Sequence, residues 1–212
     1  MAEKTGDGGI YPKHGGFEKL LSYQVAELLY DITVRFTKRY IEPGSRTRDQ
    51  MEQAARSGSR NIAEGSVFSA TSKKVEMNLT NVARASLTEL KKDYASFLRQ
   101  NKLELWPIAD PIRQELIDRR FRTADEVAHW AAGVHKRSPE RGHAEIVGNI
   151  GHVYCMVAIG LLDRQLATLA REFTENGGFG ERLYKLRKQA RDDVGQQPKD
   201  PEPTKGPEPP TS

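Results

Sequence analysis

From Lys73 to Lys102 the chain keeps apolar and charged side chains on opposite sides of a helical period, and few folds accommodate that pattern. At about 100° per residue, Val75, Leu79, Val82, Ala83, Ser86, Leu87, Leu90, Tyr94, Phe97 and Leu98 fall on one broad, mostly apolar face. A helix of this kind must bury one side against other helices. The basic residues of the stretch, Lys73, Lys74, Arg84, Lys91, Lys92, Arg99 and Lys102, project within a sector of about 100° on the other side. Glu76, Glu89 and Asp93 fall near the edges or back of the apolar face, which leaves that sector free of acid. At about 1.5 Å per residue the stripe runs roughly 40 Å, long enough for a phosphate backbone to follow.

The segment before it predicts a partner helix over about Arg46 to Glu64. Met51, Ala54, Ala55, Gly58, Ile62 and Ala63 form an inner side of small residues that permits close packing. Glycine inside a helix costs about 1 kcal/mol against alanine, so Gly58 marks a place where another backbone comes near. Ser45 is the expected N-cap after the breaker Glu42-Pro43-Gly44. Gly65 is the expected left-handed stop. Ser72 should cap the next helix, whose first turn then holds Lys73 and Lys74, where the helix dipole disfavours cations.

Upstream, Phe17, Leu21, Val25, Leu28, Ile32 and Phe36 recur every three or four residues and predict a helix over Phe17 to Tyr40. Downstream, Leu103 to Pro111 reads as a corner. Residues 112 to 135 read as two short helices interrupted near Arg122-Thr123. Ala144 to Phe173 reads as a long helix ended by Asn176-Gly177-Gly178, and residues 180 to 193 as a short charged helix. Six of the eleven prolines lie in residues 195 to 212, a composition expected to be disordered. The chain divides accordingly into a flexible arm (1–16), a helical core (17–135), a C-terminal helical extension that packs on or completes it (136–194), and the tail. The fold class is all-α, an up-and-down four-helix bundle with a helical extension.

Charge narrows the function. The net +4 is uneven: residues 35 to 103 hold 14 basic against 7 acidic side chains, whereas the flanks are near neutral. A basic segment between neutral flanks points to a polyanionic partner. The uninterrupted apolar run Val153 to Leu162 is about half of what spans a bilayer, so no membrane partner is expected. The polar, glycine-rich start and a single cysteine, Cys155, fit a cytoplasmic location.

No convergent catalytic set stands out, and the expectation is a protein without enzymatic activity, cofactor or metal. His152 and Cys155 lie one helical turn apart, but two ligands are too few for a structural zinc. Gly177-Gly178-Phe179-Gly180 lacks the Lys-Ser/Thr ending of a phosphate loop. Arg60, Asn61 and Glu64 read as a structural polar cluster, with Arg60 and Glu64 paired and Asn61 bonding across to a neighbouring helix. The nucleic-acid-binding residues expected are the stripe together with Arg46, Arg48, Arg56 and Arg60. The alternative is a structural or oligomerisation module that binds a protein partner and no nucleic acid, its stripe packed on an acidic surface that Glu172, Glu175 and Glu181 could supply.

Several short stretches carry a resemblance: Phe17-Glu18-Lys19-Leu20, Gln50-Met51 with Ala54-Ala55, Asn61-Ile62-Ala63-Glu64-Gly65, Ser72-Lys73-Lys74 and Ala83-Arg84-Ala85-Ser86-Leu87-Thr88-Glu89-Leu90. Together they resemble the bacterial four-helix bundle family that includes the 23S rRNA intervening-sequence proteins, and they are similar to the accessory variability determinant of diversity-generating retroelements. The resemblance implies an up-and-down bundle, assembly as a homo-oligomer, often a pentamer, and a basic surface for RNA or DNA with a reverse transcriptase as protein partner. Asn149, Leu161 to Leu166 and Gly177 to Leu183 look like a suffix carried by a subset of these proteins. The chain departs from the family at Glu52, where a basic residue is usual, and in charged additions after Leu105.

Overall fold

The computed structural model describes residues 16–176 together with 184, 187–189 and 191. The arm (but for Gly16), the Gly177-Gly178 stop, most of the short charged helix of 180–193 and the proline-rich tail lie outside the described residues. Those described are all-helical, without strands: α1 (Leu21–Tyr40), α2 (Arg46–Phe68), α3 (Lys73–Gln100), α4 (Pro111–Arg119), α5 (Ala124–Arg137) and α6 (His143–Asn176). A short 3-10 turn, Phe17–Lys19, precedes α1, because Leu20 is extended and breaks the single helix expected from Phe17.

The caps follow the sequence. The Ser45 hydroxyl accepts from the Thr47 amide at 3.3 Å, and the Ser72 hydroxyl accepts from the Val75 amide at 3.3 Å. Asp110 caps α4 through the Ile112 amide at 2.8 Å, with Pro111 in the first turn, where its missing N–H costs nothing. Thr123 and Glu126 form a reciprocal capping box on α5.

Gly65 departs from expectation. It does not stop α2 in a left-handed conformation, since the helix continues to Phe68. A Cβ at Gly65 would lie 3.4 Å from both the Glu76 carbonyl oxygen and the Leu79 Cβ, so this glycine serves the close approach of α2 to α3. Gly58 serves the same contact further along, and the neighbour there is a side chain: a Cβ would fall 2.4 Å from Leu87 Cδ2. Two close approaches on one helix edge make the small-residue side of α2 the seat for α3.

α1, α2, α3 and α6 pack side by side around a common core, while α4 and α5 lie on α6. Tyr94 sits at its centre. Its hydroxyl donates to Thr33 Oγ1 at 3.0 Å, and Thr33 in turn donates to the Leu29 carbonyl at 2.7 Å. This chain of hydrogen bonds satisfies two buried polar groups at little cost. The backbone of α6 runs directly over the Tyr94 ring, with Gly151 at the crossing. Thus α6, in the segment set apart as an extension, shares the core of α1 to α3. The corner after α3 is fixed by Asn149, which accepts from the Trp106 amide at 2.8 Å and donates to the carbonyls of Glu104 and Glu145 at 2.8 and 3.0 Å.

By length and composition α6 passes as a helix able to cross a bilayer, which the ten-residue apolar run did not indicate. Its packing accounts for that character, because 61% of its most apolar window is buried inside the protein.

Candidate nucleic-acid interface

The α3 stripe divides into two rows because α6 packs along one edge of it. Lys73 and Arg84 lie on that edge. The Lys73 ammonium is 3.2 Å from Glu76 and 3.1 Å from Glu172 of α6, and the Arg84 guanidinium is 3.0 Å from Asp163 of α6. The stripe is therefore not free of acid along its whole length. Glu76 is only 6% exposed. The unfavourable position of Lys73 at the positive end of α3 is balanced by carboxylates of the same chain. Burial pushes the Glu76 carboxyl up from its ordinary range, and Lys73 offsets only part of this. Burial works against the Lys73 charge, but the hydrogen bond it donates to Glu172 and the pull of Glu76 outweigh it and hold its pKa above the usual value.

The outer row is Lys74, Lys92, Arg99 and Lys102, all exposed, with Lys91 half-buried beside it. None of the five makes an ion pair among the described residues. Lys102 ends α3 in a left-handed conformation (φ 55). The Lys102 amide donates to the Arg99 carbonyl at 3.1 Å and the Leu103 amide to the Leu98 carbonyl at 2.9 Å, the bonding of a Schellman stop. Glycine normally occupies that position, so a lysine there is strained by about 1 kcal/mol.

Arg113 of α4 is a further cation near the α3–α6 seam, and it was not identified from sequence. The α4 helix brings its guanidinium to 4.0 Å from Met156 Sδ and 3.2 Å from the Ile108 carbonyl, and it makes no ion pair among the described residues. Its charge and that of Lys91 both bear on His152, whose pKa is pushed down to about 4, mostly by burial. The Asp110-Pro111 cap makes α4 readable in sequence. That α4 packs on α6 is not.

Two of the four α2 arginines, Arg48 and Arg60, act on groups other than those of α3. Ser57 meets Ser86 of α3 at 3.0 Å between hydroxyl oxygens, which fixes the α3-facing edge of α2. The Arg60 charge bears on the Tyr23 hydroxyl of α1, on the other edge. Arg46 and Arg56 are exposed, and Arg48 is bound to Glu52 at 3.1 Å. The polar cluster is not assembled as expected either. No ion pair joins Arg60 to Glu64 among the described residues, and Asn61 donates within its own helix, to the Ser57 carbonyl at 2.8 Å and hydroxyl at 3.1 Å. The crossing to α3 is made by Ser57, whose shorter side chain sits closer to the helix contact.

Elsewhere the chemistry is muted. Cys155 is fully buried and its thiol is pushed up by burial, so it is a poor nucleophile. Among the described residues no three His, Cys, Asp or Glu side chains stand close enough to hold a metal ion. Compared with known proteins, the chain matches no family model, no curated protein and no solved structure.

Proposed function

We propose that this protein is a non-enzymatic, oligomeric helical-bundle accessory protein that binds RNA or DNA through the outer row of α3, with little sequence readout. The observation that carries this reading is the row itself. Lys74, Lys92, Arg99 and Lys102 are exposed cations that make no ion pair among the described residues, and Lys91 stands half-buried beside them. Phosphates supply the missing counter-charge, and contacts of that kind position a nucleic acid without reading its bases. In this reading α1, α2, α3 and α6 form the up-and-down four-helix bundle and assemble as a cytoplasmic homo-oligomer, a pentamer by the family resemblance. A reverse transcriptase is the protein partner that the same resemblance supports.

The test is fluorescence anisotropy with labelled single-stranded RNA and DNA across a salt series. Affinity should fall steeply with salt for both, and absence of binding at 50 mM salt, or binding indifferent to salt, removes the reading. A second reading, a structural module that binds only a protein partner, is favoured by one observation: Lys73 and Arg84 already serve the α3–α6 seam.

A further inference from the structure

Away from the basic row, α1, α4, the turn after α4 and α6 enclose a groove of about 670 Å³ that no residue of α2 or α3 lines. That volume lies within the range of small-molecule sites. Its floor is Leu28, Leu116 and Val153, all buried, and Val25, Phe121 and Val157 stand half-buried along its walls. Apolar surface left partly open in this way gains by being covered.

The polar groups on the α4–α6 side of the groove share one property. Arg120, Arg122 and Arg164 line it, and none makes an ion pair among the described residues. Tyr154 also lines it, while its hydroxyl is buried away from the open space and has no hydrogen-bond partner among the described residues. Burial, with the Glu126 charge nearby, pushes its pKa up, so the phenol keeps its proton. Guanidinium groups only donate, and these three have no carboxylate of the described residues to donate to. What fits is a ligand with an apolar body and a head that only accepts hydrogen bonds.

We propose that this groove binds an amphiphilic carboxylate: an aliphatic or aromatic body lies on the apolar floor, and the carboxylate faces the arginines, whose planar forks match it. Glu27 and Asp31 line the α1 side of the groove and repel an anion there, so the head is directed to the arginine side. The site is independent of the nucleic-acid reading and survives its failure.

The experiment is isothermal titration of the full chain with dodecanoate below its micelle-forming concentration. Dodecyltrimethylammonium serves as the charge-reversed control, and circular dichroism melting as the fold control. One dodecanoate should bind per chain. Arg164→Glu, at an exposed position, should weaken it at least tenfold, Val157→Trp should abolish it by filling the groove, and Lys92→Glu on the basic row should leave it unchanged. Absence of saturable binding, equal affinity for dodecyltrimethylammonium, or equal weakening by Lys92→Glu and Arg164→Glu would each overturn the proposal.

Discussion

The Lys73 ammonium lies 3.1 Å from Glu172, joining the first turn of α3 to the far end of α6, and the same ammonium covers the buried Glu76 at 3.2 Å. One lysine thus closes the seam between two helices and neutralises a carboxylate that has almost no access to water. Lys73→Met should cost about 2 kcal/mol at pH 7, because it leaves a buried charge uncompensated. The Glu76 carboxyl titrates above its ordinary 4.5 in the folded protein. Its protonated form therefore favours the fold, a contribution fully present below about pH 4.5 and lost as pH rises through the folded value. The cost of Lys73→Met should accordingly be largest near neutrality and shrink as pH falls toward 4. Urea unfolding at pH 7 and pH 4 checks this, and equal costs at the two pH values would contradict it.

Gly151 allows α6 to cross the Tyr94 ring, where an added Cβ would fall 2.1 Å from Tyr94 Cζ. Tyr94 is fully buried and held by Thr33, so it has nowhere to move. Gly151→Ala should destabilise by about 3 kcal/mol or more through overpacking. Pairing it with Tyr94→Leu should recover part of the loss, which a double-mutant cycle by chemical denaturation measures. Strictly additive costs would show that the two residues are not in conflict.

Which helices form was readable because periodicity and caps are local: Ser45 and Ser72 each sit where an N-cap must, and the break read near Arg122-Thr123 falls where Thr123 caps α5. Misreadings arose where a local signal had two meanings. Gly65 satisfies both a helix stop and a close helix contact, and the contact with Glu76 and Leu79 decided. The candidate site was legible as a set of cations on one side of α3. Its division into a paired inner row and an outer row without ion pairs among the described residues was not. That division depends on Asp163 and Glu172, which lie 79 and 99 positions from Arg84 and Lys73 and reach them only because α6 runs antiparallel to α3.

Lys102 couples stability to the proposed function. Glycine at this left-handed position relieves the backbone strain, so Lys102→Gly should raise stability by about 0.5–1 kcal/mol. The same change removes one exposed cation from the end of the outer row. Affinity for single-stranded RNA should fall severalfold at low salt, read by anisotropy beside a urea melt. A variant that is stabilised with unchanged affinity would place Lys102 outside the binding surface.

The two rows of α3 make different predictions, and comparing them isolates the surface that matters. Lys74→Glu, Lys92→Glu and Arg99→Glu together reverse three exposed cations opposite the buried face, where substitution changes stability by less than about 0.5 kcal/mol each. Binding of all RNA and DNA sequences should weaken nearly equally, and the dependence of log affinity on log salt should flatten by about three contacts. Arg84→Gln on the inner row removes a cation already matched by Asp163 at 3.0 Å. An exposed pair of this kind contributes under about 1 kcal/mol, so this change should leave both affinity and salt slope nearly as they were. Light scattering on each variant reports whether the oligomer persists. If the outer-row variant folds, keeps its assembly state and binds nucleic acid with the original slope, the outer row is not a phosphate track. The inner row's role in joining α3 to α6 then describes the whole stripe, and a protein partner becomes the better reading of its exposed half.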